Sequence, residues 1–191
     1  MDILIPCKSL SLGKSRLATV LEPAQRRRLC RCLLVHTLDQ ALASGARVAV
    51  VTEDPAVVRF ARRHGAQIID DPGAGLNAAL IHGNAVLGYD APLIVMPIDL
   101  PGLTAAHVAR LTLPTGLSLV PDRRQEGTNL LLLAPAARPH FTFAFGPKSF
   151  TLHHQAAVRQ GLPVTVQRDA ALEFDIDTPE DLACWPGLIS S

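Results

Sequence analysis

Short runs of consecutive apolar residues alternate along this chain with longer segments whose apolar positions recur at helical spacing. Ile3–Pro6, Arg47–Thr52, Gln67–Ile69, Pro92–Pro97 and Leu117–Pro121 read as strands. Between them, Glu22–Ser44, Pro55–His64, Gly75–Leu87 and Thr104–Leu111 read as amphipathic helices. Strands without polar alternation are buried on both faces, and such strands separated by helices build a parallel α/β sheet. The punctuation agrees: Pro55 stands at a helix start, where its missing N–H does no harm, and Gly45 and Gly65 stand where two helices end.

After Pro121 the rhythm changes. A polar stretch over 122–127 leads into the apolar run Thr128–Ala134, a proline-rich turn, Phe145–Phe150 and a helical pattern that ends at Gln160. This part is expected to be a substrate-handling insertion ahead of the last strand and helix. There, Phe174–Leu182 reads as a strand end entering a helix, with Thr178 as N-cap, Pro179 at the first helical position and Glu180 and Asp181 as first-turn acids that complement the helix dipole. No repeat, low-complexity tract or linker divides the chain, so 1–191 is expected to form one domain.

Composition removes several function classes. The 18 basic and 17 acidic residues leave a net charge of +1, so no whole-protein field suits wrapping nucleic acid or lying on an anionic membrane. Met1–Pro6 carries no basic leader and no apolar stretch is long enough to span a bilayer, which makes a cytoplasmic protein the expectation. Cys7, Cys30, Cys32 and Cys184 lack the spacing of a zinc site and are expected to be free thiols. The seven histidines, His153-His154 included, show no metalloprotease spacing and read as core or surface residues.

In an open parallel sheet, ligands gather at the carboxyl ends of the strands, so polar residues there carry the candidate chemistry. The loop 6–17 after the first strand places Lys8, Lys14 and Arg16 among small residues; these are either a surround for a polyphosphate or solvated loop charges. It is not a Walker loop, because the glycine spacing before Gly13-Lys14-Ser15 is missing. Asp99 follows the strand 92–97 and is either a ligand for a divalent cation between carboxylate and phosphate or a turn residue beside Pro101. Asp175 and Asp177 flank Ile176, so on an extended segment their carboxylates share one face, and two like charges held together call for a cation. Gly127-Thr128-Asn129 and Phe145–Phe150, with Gly146 and Ser149, offer neutral hydrogen-bond donors or are simply turns. Asn77, at the start of a helix, either reads a nucleobase edge or caps backbone.

Taken in order, Pro6-x-Lys8, Lys14-Ser15-Arg16-Leu17-Ala18, Leu76–Leu80, Asp99-Leu100-Pro101, Val120–Arg124 with Gly127-Thr128-Asn129, Phe145-Gly146-Pro147-x-Ser149-Phe150 and Asp175-Ile176-Asp177-Thr178-Pro179 resemble one family, the 2-phospho-L-lactate guanylyltransferases of coenzyme F420 biosynthesis. Each motif alone is weak; their shared order over nearly the whole chain is what carries the resemblance. It implies a single-domain nucleotidyltransferase fold, GT-A-like and Rossmann-like, with a mostly parallel mixed sheet flanked by helices. The implied reaction transfers GMP from GTP to a small phosphorylated carboxylic acid, which across the family is 2-phospho-L-lactate, phosphoenolpyruvate or 3-phospho-D-glycerate. By the same resemblance Asp99, Asp175 and Asp177 hold Mg²⁺, Lys14 and Arg16 lie on the GTP phosphates, and Lys8, Thr128, Gly146 and Ser149 hold the acceptor acid; Asn77 is the further nucleotide-binding candidate from its place at the helix start. A homodimer is the family habit. Lys148 departs from the pattern, since a small or acidic residue is expected there. Two rival classes stand beside this one: another nucleotidyltransferase, of sugar-phosphate or molybdopterin type, and a non-catalytic nucleotide-binding module.

Overall fold

The central strands are mostly apolar because helices cover both faces of the sheet they form. A computed structural model describes residues 1–185; residues 186–191 of the expected domain lie outside the described residues. Seven strands, β1 (Asp2–Pro6), β2 (Arg47–Thr52), β3 (Gln67–Asp70), β4 (Leu93–Val95), β5 (Leu117–Pro121), β6 (Thr128–Leu133) and β7 (Val164–Val166), lie in the order β3-β2-β1-β4-β6-β5-β7. Only β6 runs against the rest, antiparallel to both β4 and β5.

Alternate residues of each strand feed opposite cores. Ile3, Ile5, Val48, Val50 and Ile94 point to one face, covered by α1 (Pro23–Ala43), α2 (Pro55–His64) and α4 (Ala105–Arg110). Leu4, Ala49, Val51, Leu93 and Val95 point to the other, covered by α3 (Leu76–Leu87) and α5 (Ser149–Arg159). On that second face α3 sits so close that a Cβ added at Gly83 would lie 2.7 Å from Val51 and 2.9 Å from Leu4, which is why glycine stands there.

The helix ends behave as their residues dictate. Glu22 and Gln25 make a reciprocal cap ahead of α1, Asp54 accepts from the Ala56 N–H at the start of α2, and Gly65 closes α2 in the left-handed region. Thr178 and Asp181 cap one another's backbone at the start of the short α6 (Pro179–Ala183).

Two expectations need correction. The region after Pro121 is not an insertion: β5, β6 and β7 complete the same sheet. Residues 174–178 form no strand either. Their segment runs extended past the end of β4, and the Ile176 N–H donates to the Asp99 carbonyl at 3.1 Å. The described cysteines are all free, as expected. Among the described residues no helix is long and apolar enough to cross a membrane.

A buried ion network closes the opposite end of the sheet. Arg138, fully buried, donates from Nη1 to Asp2 Oδ2 (2.9 Å) and from Nε to Asn84 Oδ1 (2.8 Å), while Arg47 grips both oxygens of Asp2 at 2.9 Å. Desolvation would raise the Asp2 carboxyl, but the two guanidinium groups outweigh it and hold the group below the usual carboxylate value.

Candidate active site

A third, smaller core sets the geometry at the carboxyl ends of the strands. Leu17, Leu29, Leu33, Ile176 and Leu182 pack together, with Leu17 and Ile176 fully buried. Because Ile176 is plugged into this core, its neighbours Asp175 and Asp177 are turned the other way, toward Asp99. Because Leu17 is plugged into it as well, the short 3-10 turn 15–19 is fixed, and Lys14 and Arg16 with it.

The result is a cluster in which ligand oxygens of Asp99, Asp175 and Asp177 lie within 4.8 Å of one another. Lys14 Nζ donates to Asp99 Oδ2 at 2.8 Å and to Asp177 Oδ1 at 3.1 Å, and Arg16 Nη1 donates to Asp177 Oδ2 at 3.0 Å. Burial works to lower the Lys14 ammonium, yet the two carboxylates overrule it and hold it well above the ordinary lysine value. Asp175 forms no ion pair among the described residues: burial, then Asp99 and Asp177, push it up to about 6 against the weaker pull of Lys14. The site is therefore short of positive charge at neutral pH, the condition under which a divalent cation is welcome. Lys14 also adopts the left-handed backbone region (φ 55°), uncommon for a residue with a side chain and frequent where function fixes a conformation.

Two clefts meet at this cluster, sharing Pro6, Arg16, Asp99 and Asp177. The larger, about 650 Å³, is lined by Thr128, Gly146, Ser149, Arg123, Lys148 and Asp175 among others. The smaller, about 390 Å³, lies on the loop after β1 and is lined by Lys8, Ser9, Lys14 and Cys30.

The structure thus brings together the three aspartates, Lys14 and Arg16, and on the adjoining wall Thr128, Gly146 and Ser149. Lys8 lines the smaller cleft, as Lys14 does, rather than that wall, because it belongs to the loop that forms the smaller cleft. Asn77 does not line either cleft. Its side-chain amide clamps a backbone strip, Nδ2 donating to the Phe145 carbonyl (3.1 Å) and Oδ1 accepting from the Phe145 N–H (2.8 Å), so of its two readings it takes the backbone-capping one. Lys148 does line the larger cleft, in the left-handed region (φ 59°) immediately before α5.

Sequence reasoning missed Arg123 and His153. Arg123 lies 4.1 Å over the Phe174 ring, is tightly paired with Asp181 and lines the larger cleft. It stood inside the Val120–Arg124 motif of the resemblance but was given no role there. His153, fully buried, bonds Thr128 Oγ1 and the Ala144 N–H, each at 2.9 Å; nothing in the chain around it announced those partners.

Residues 1–185 match the family model described as guanylyl transferase CofC like. The chain is similar to a phosphoenolpyruvate guanylyltransferase of Rubrobacter xylanophilus, 41% identical over 186 residues that span 94% of this chain and 90% of that protein. It is also similar to a 3-phospho-D-glycerate guanylyltransferase of Phenylobacterium zucineum, 39% identical over 180 residues, 88% of this chain and 82% of that one. Among solved structures, a nucleotidyl transferase from Methanothermobacter thermautotroptrophicus superposes with a TM-score of 0.73 at 16% identity, covering 99% of this chain and 97% of that chain, a likeness of fold.

Proposed function

We propose a function from one premise: this chain belongs to the CofC-like guanylyl transferase family. It transfers GMP from GTP to a small phosphorylated three-carbon acid and releases pyrophosphate, in the biosynthesis of coenzyme F420. The acid is phosphoenolpyruvate, 2-phospho-L-lactate or 3-phospho-D-glycerate, and the relatives' names divide between the first and the last.

The observation that carries the reading is the convergence of Asp99, Asp175 and Asp177 beside a cleft whose wall is Thr128, Gly146 and Ser149. Three carboxylates give hard oxygen donors, and among the described residues Asp175 makes no ion pair, so the cluster fits Mg²⁺. Bound there, Mg²⁺ supplies positive charge to the phosphate oxygens of the reacting nucleotide. Lys14, counter-ion to Asp99 and Asp177, would present its ammonium to the triphosphate, and Arg16 and Lys8 line the same smaller cleft. Thr128, Gly146 and Ser149 hold the acid so that its phosphate oxygen faces the α-phosphorus. The new oxygen–phosphorus bond forms as the bond to pyrophosphate breaks. No protein base is needed, because the attacking phosphate is already anionic; the residues contribute position and charge.

The test mixes purified protein with GTP, Mg²⁺ and each acid and measures pyrophosphate. We expect phosphoenolpyruvate and 2-phospho-L-lactate to give kcat/KM values within about tenfold of each other, since a cleft tells a methylene from a methyl poorly. No release with any of the three acids would overturn the reading. Release with another nucleoside triphosphate in place of GTP would move the chain to a different nucleotidyltransferase, and nucleotide binding without release to the binding module.

Lys14→Met is expected to raise KM for GTP by about tenfold or more, the weight of a charge-assisted phosphate contact, with little change in KM for the acid. Lys8→Met should act in the same direction. A loss of acid affinity in Lys8→Met instead would return Lys8 to the acceptor, against its place in the smaller cleft.

A further inference from the structure

We infer that His153 is a positioning residue that fixes the Thr128 hydroxyl as a hydrogen-bond donor into the larger cleft. The inference rests on the proposal above that Thr128 contacts the acceptor acid.

The argument begins at the Ala144 backbone N–H, which can only donate. It lies 2.9 Å from His153 Nε2, so that nitrogen must present its lone pair. The ring is fully buried, and burial lowers its pKa to about 4, so it is neutral at physiological pH. A neutral imidazole with a bare Nε2 carries its hydrogen on Nδ1, and Nδ1 lies 2.9 Å from Thr128 Oγ1. Thr128 therefore accepts from His153, and its own hydrogen cannot point back along that bond. Among the described residues no protein group takes that hydrogen. Thr128 lines the larger cleft, so the hydroxyl is set to donate to what enters it, and carboxylate and phosphate oxygens accept.

The same ring also orders the strip opposite. Its Nε2 holds Ala144, the Phe145 ring meets it edge-on at 4.7 Å, and Asn77 clamps the Phe145 backbone one residue before Gly146. One buried imidazole thus ties β6, α5 and the 144–147 strip into a single unit. It touches neither substrate and moves no proton in the reaction.

Two measurements test this. Long-range proton–nitrogen NMR of the histidine rings, on the unaltered protein without substrates, should show His153 neutral and protonated at Nδ1. The opposite tautomer, or a charged ring at neutral pH, would overturn the inference. The second is a double-mutant cycle with Thr128→Val and His153→Gln. The glutamine amide oxygen can reach the place of Nε2 and keep Ala144, while nothing remains at Nδ1. Each single change should raise KM for the acid by about tenfold and leave KM for GTP within about twofold, and the double variant should be no worse than Thr128→Val alone. Losses that simply add would mean that His153 does not act through Thr128, and would sink the idea. If His153→Gln does not fold, the tautomer measurement still decides. A KM for the acid untouched by Thr128→Val, with the Nδ1 tautomer observed, would instead overturn the placement of the acid beside Thr128, and the positioning role with it.

Discussion

Asp175→Asn is expected to melt at a higher temperature than the unaltered protein in chelator at neutral pH, while releasing pyrophosphate about 10³-fold more slowly. The two effects have one cause. Burial and the neighbouring Asp99 and Asp177 push the Asp175 carboxyl up to about 6, so above that pH the folded protein carries a charge that its surroundings resist. In the unfolded chain the same group titrates near 3.8. A carboxyl whose folded pKa is raised destabilises the fold progressively as pH climbs between those values, and fully above the higher one. Asparagine keeps the shape without the charge. Its thermal advantage should be largest above pH 6 and vanish as pH falls through 3.8. Its activity should be lost because the cluster would hold one carboxylate fewer for the cation proposed to bind there. Melting curves across pH with chelator, beside a pyrophosphate assay, check both halves. A variant that melts lower at neutral pH would show that Asp175 is held by contacts other than those that raise it.

At the far end of the sheet the expected effect is on stability alone. Asp2→Asn removes the charge that balances Arg138, which is fully buried and has no route to water. Breaking a buried pair from one side costs about 3–5 kcal/mol, enough to lower the denaturation midpoint sharply. Replacing both partners, Asp2→Leu with Arg138→Met, should cost less than Asp2→Asn, because no buried charge is then left unpaired. The folded Asp2 carboxyl titrates below its ordinary 3.8, so its contribution is present above that value and fades as pH falls through the lower, folded one. Denaturant titrations at neutral and acid pH should therefore show the gap between Asp2→Asn and the unaltered protein narrowing in acid. A constant gap would mean that packing, not charge, makes Asp2 important.

What could be read from the residues was local. Pro55, Gly65, Thr104 and Thr178 announce helix ends because caps and left-handed turns act over a few residues, and β1, β2 and β5 announce themselves through unbroken apolar runs. Strand direction is decided between segments far apart, so nothing near Thr128 says that β6 runs backwards between β4 and β5. The edge strand β7 was missed because it is three residues long, with two of them exposed, and shows neither a full apolar run nor alternation. At the site, Asp99, Asp175 and Asp177 were legible because strand ends and a two-residue spacing are local facts. Lys8 was grouped with Thr128, Gly146 and Ser149, and in the fold it lines the smaller cleft while those three line the larger. Arg138 stood in a proline-rich turn and gave no hint that it would become the buried centre of an ion network.

The extended segment that carries Ile176 across to the Asp99 carbonyl also sets an order in time. Chains are made from the N-terminus, and early parts begin to fold before late parts exist. Strands β1 to β4 and their helices can therefore be synthesised, and can begin to pack, while Asp175 and Asp177 are still untranslated. The carboxylates that repel one another therefore cannot meet until the last-made segment has been synthesised. Lys14 bridges the two parts: it pairs with Asp99 of the early-made chain at 2.8 Å and with Asp177 of the last-made segment at 3.1 Å.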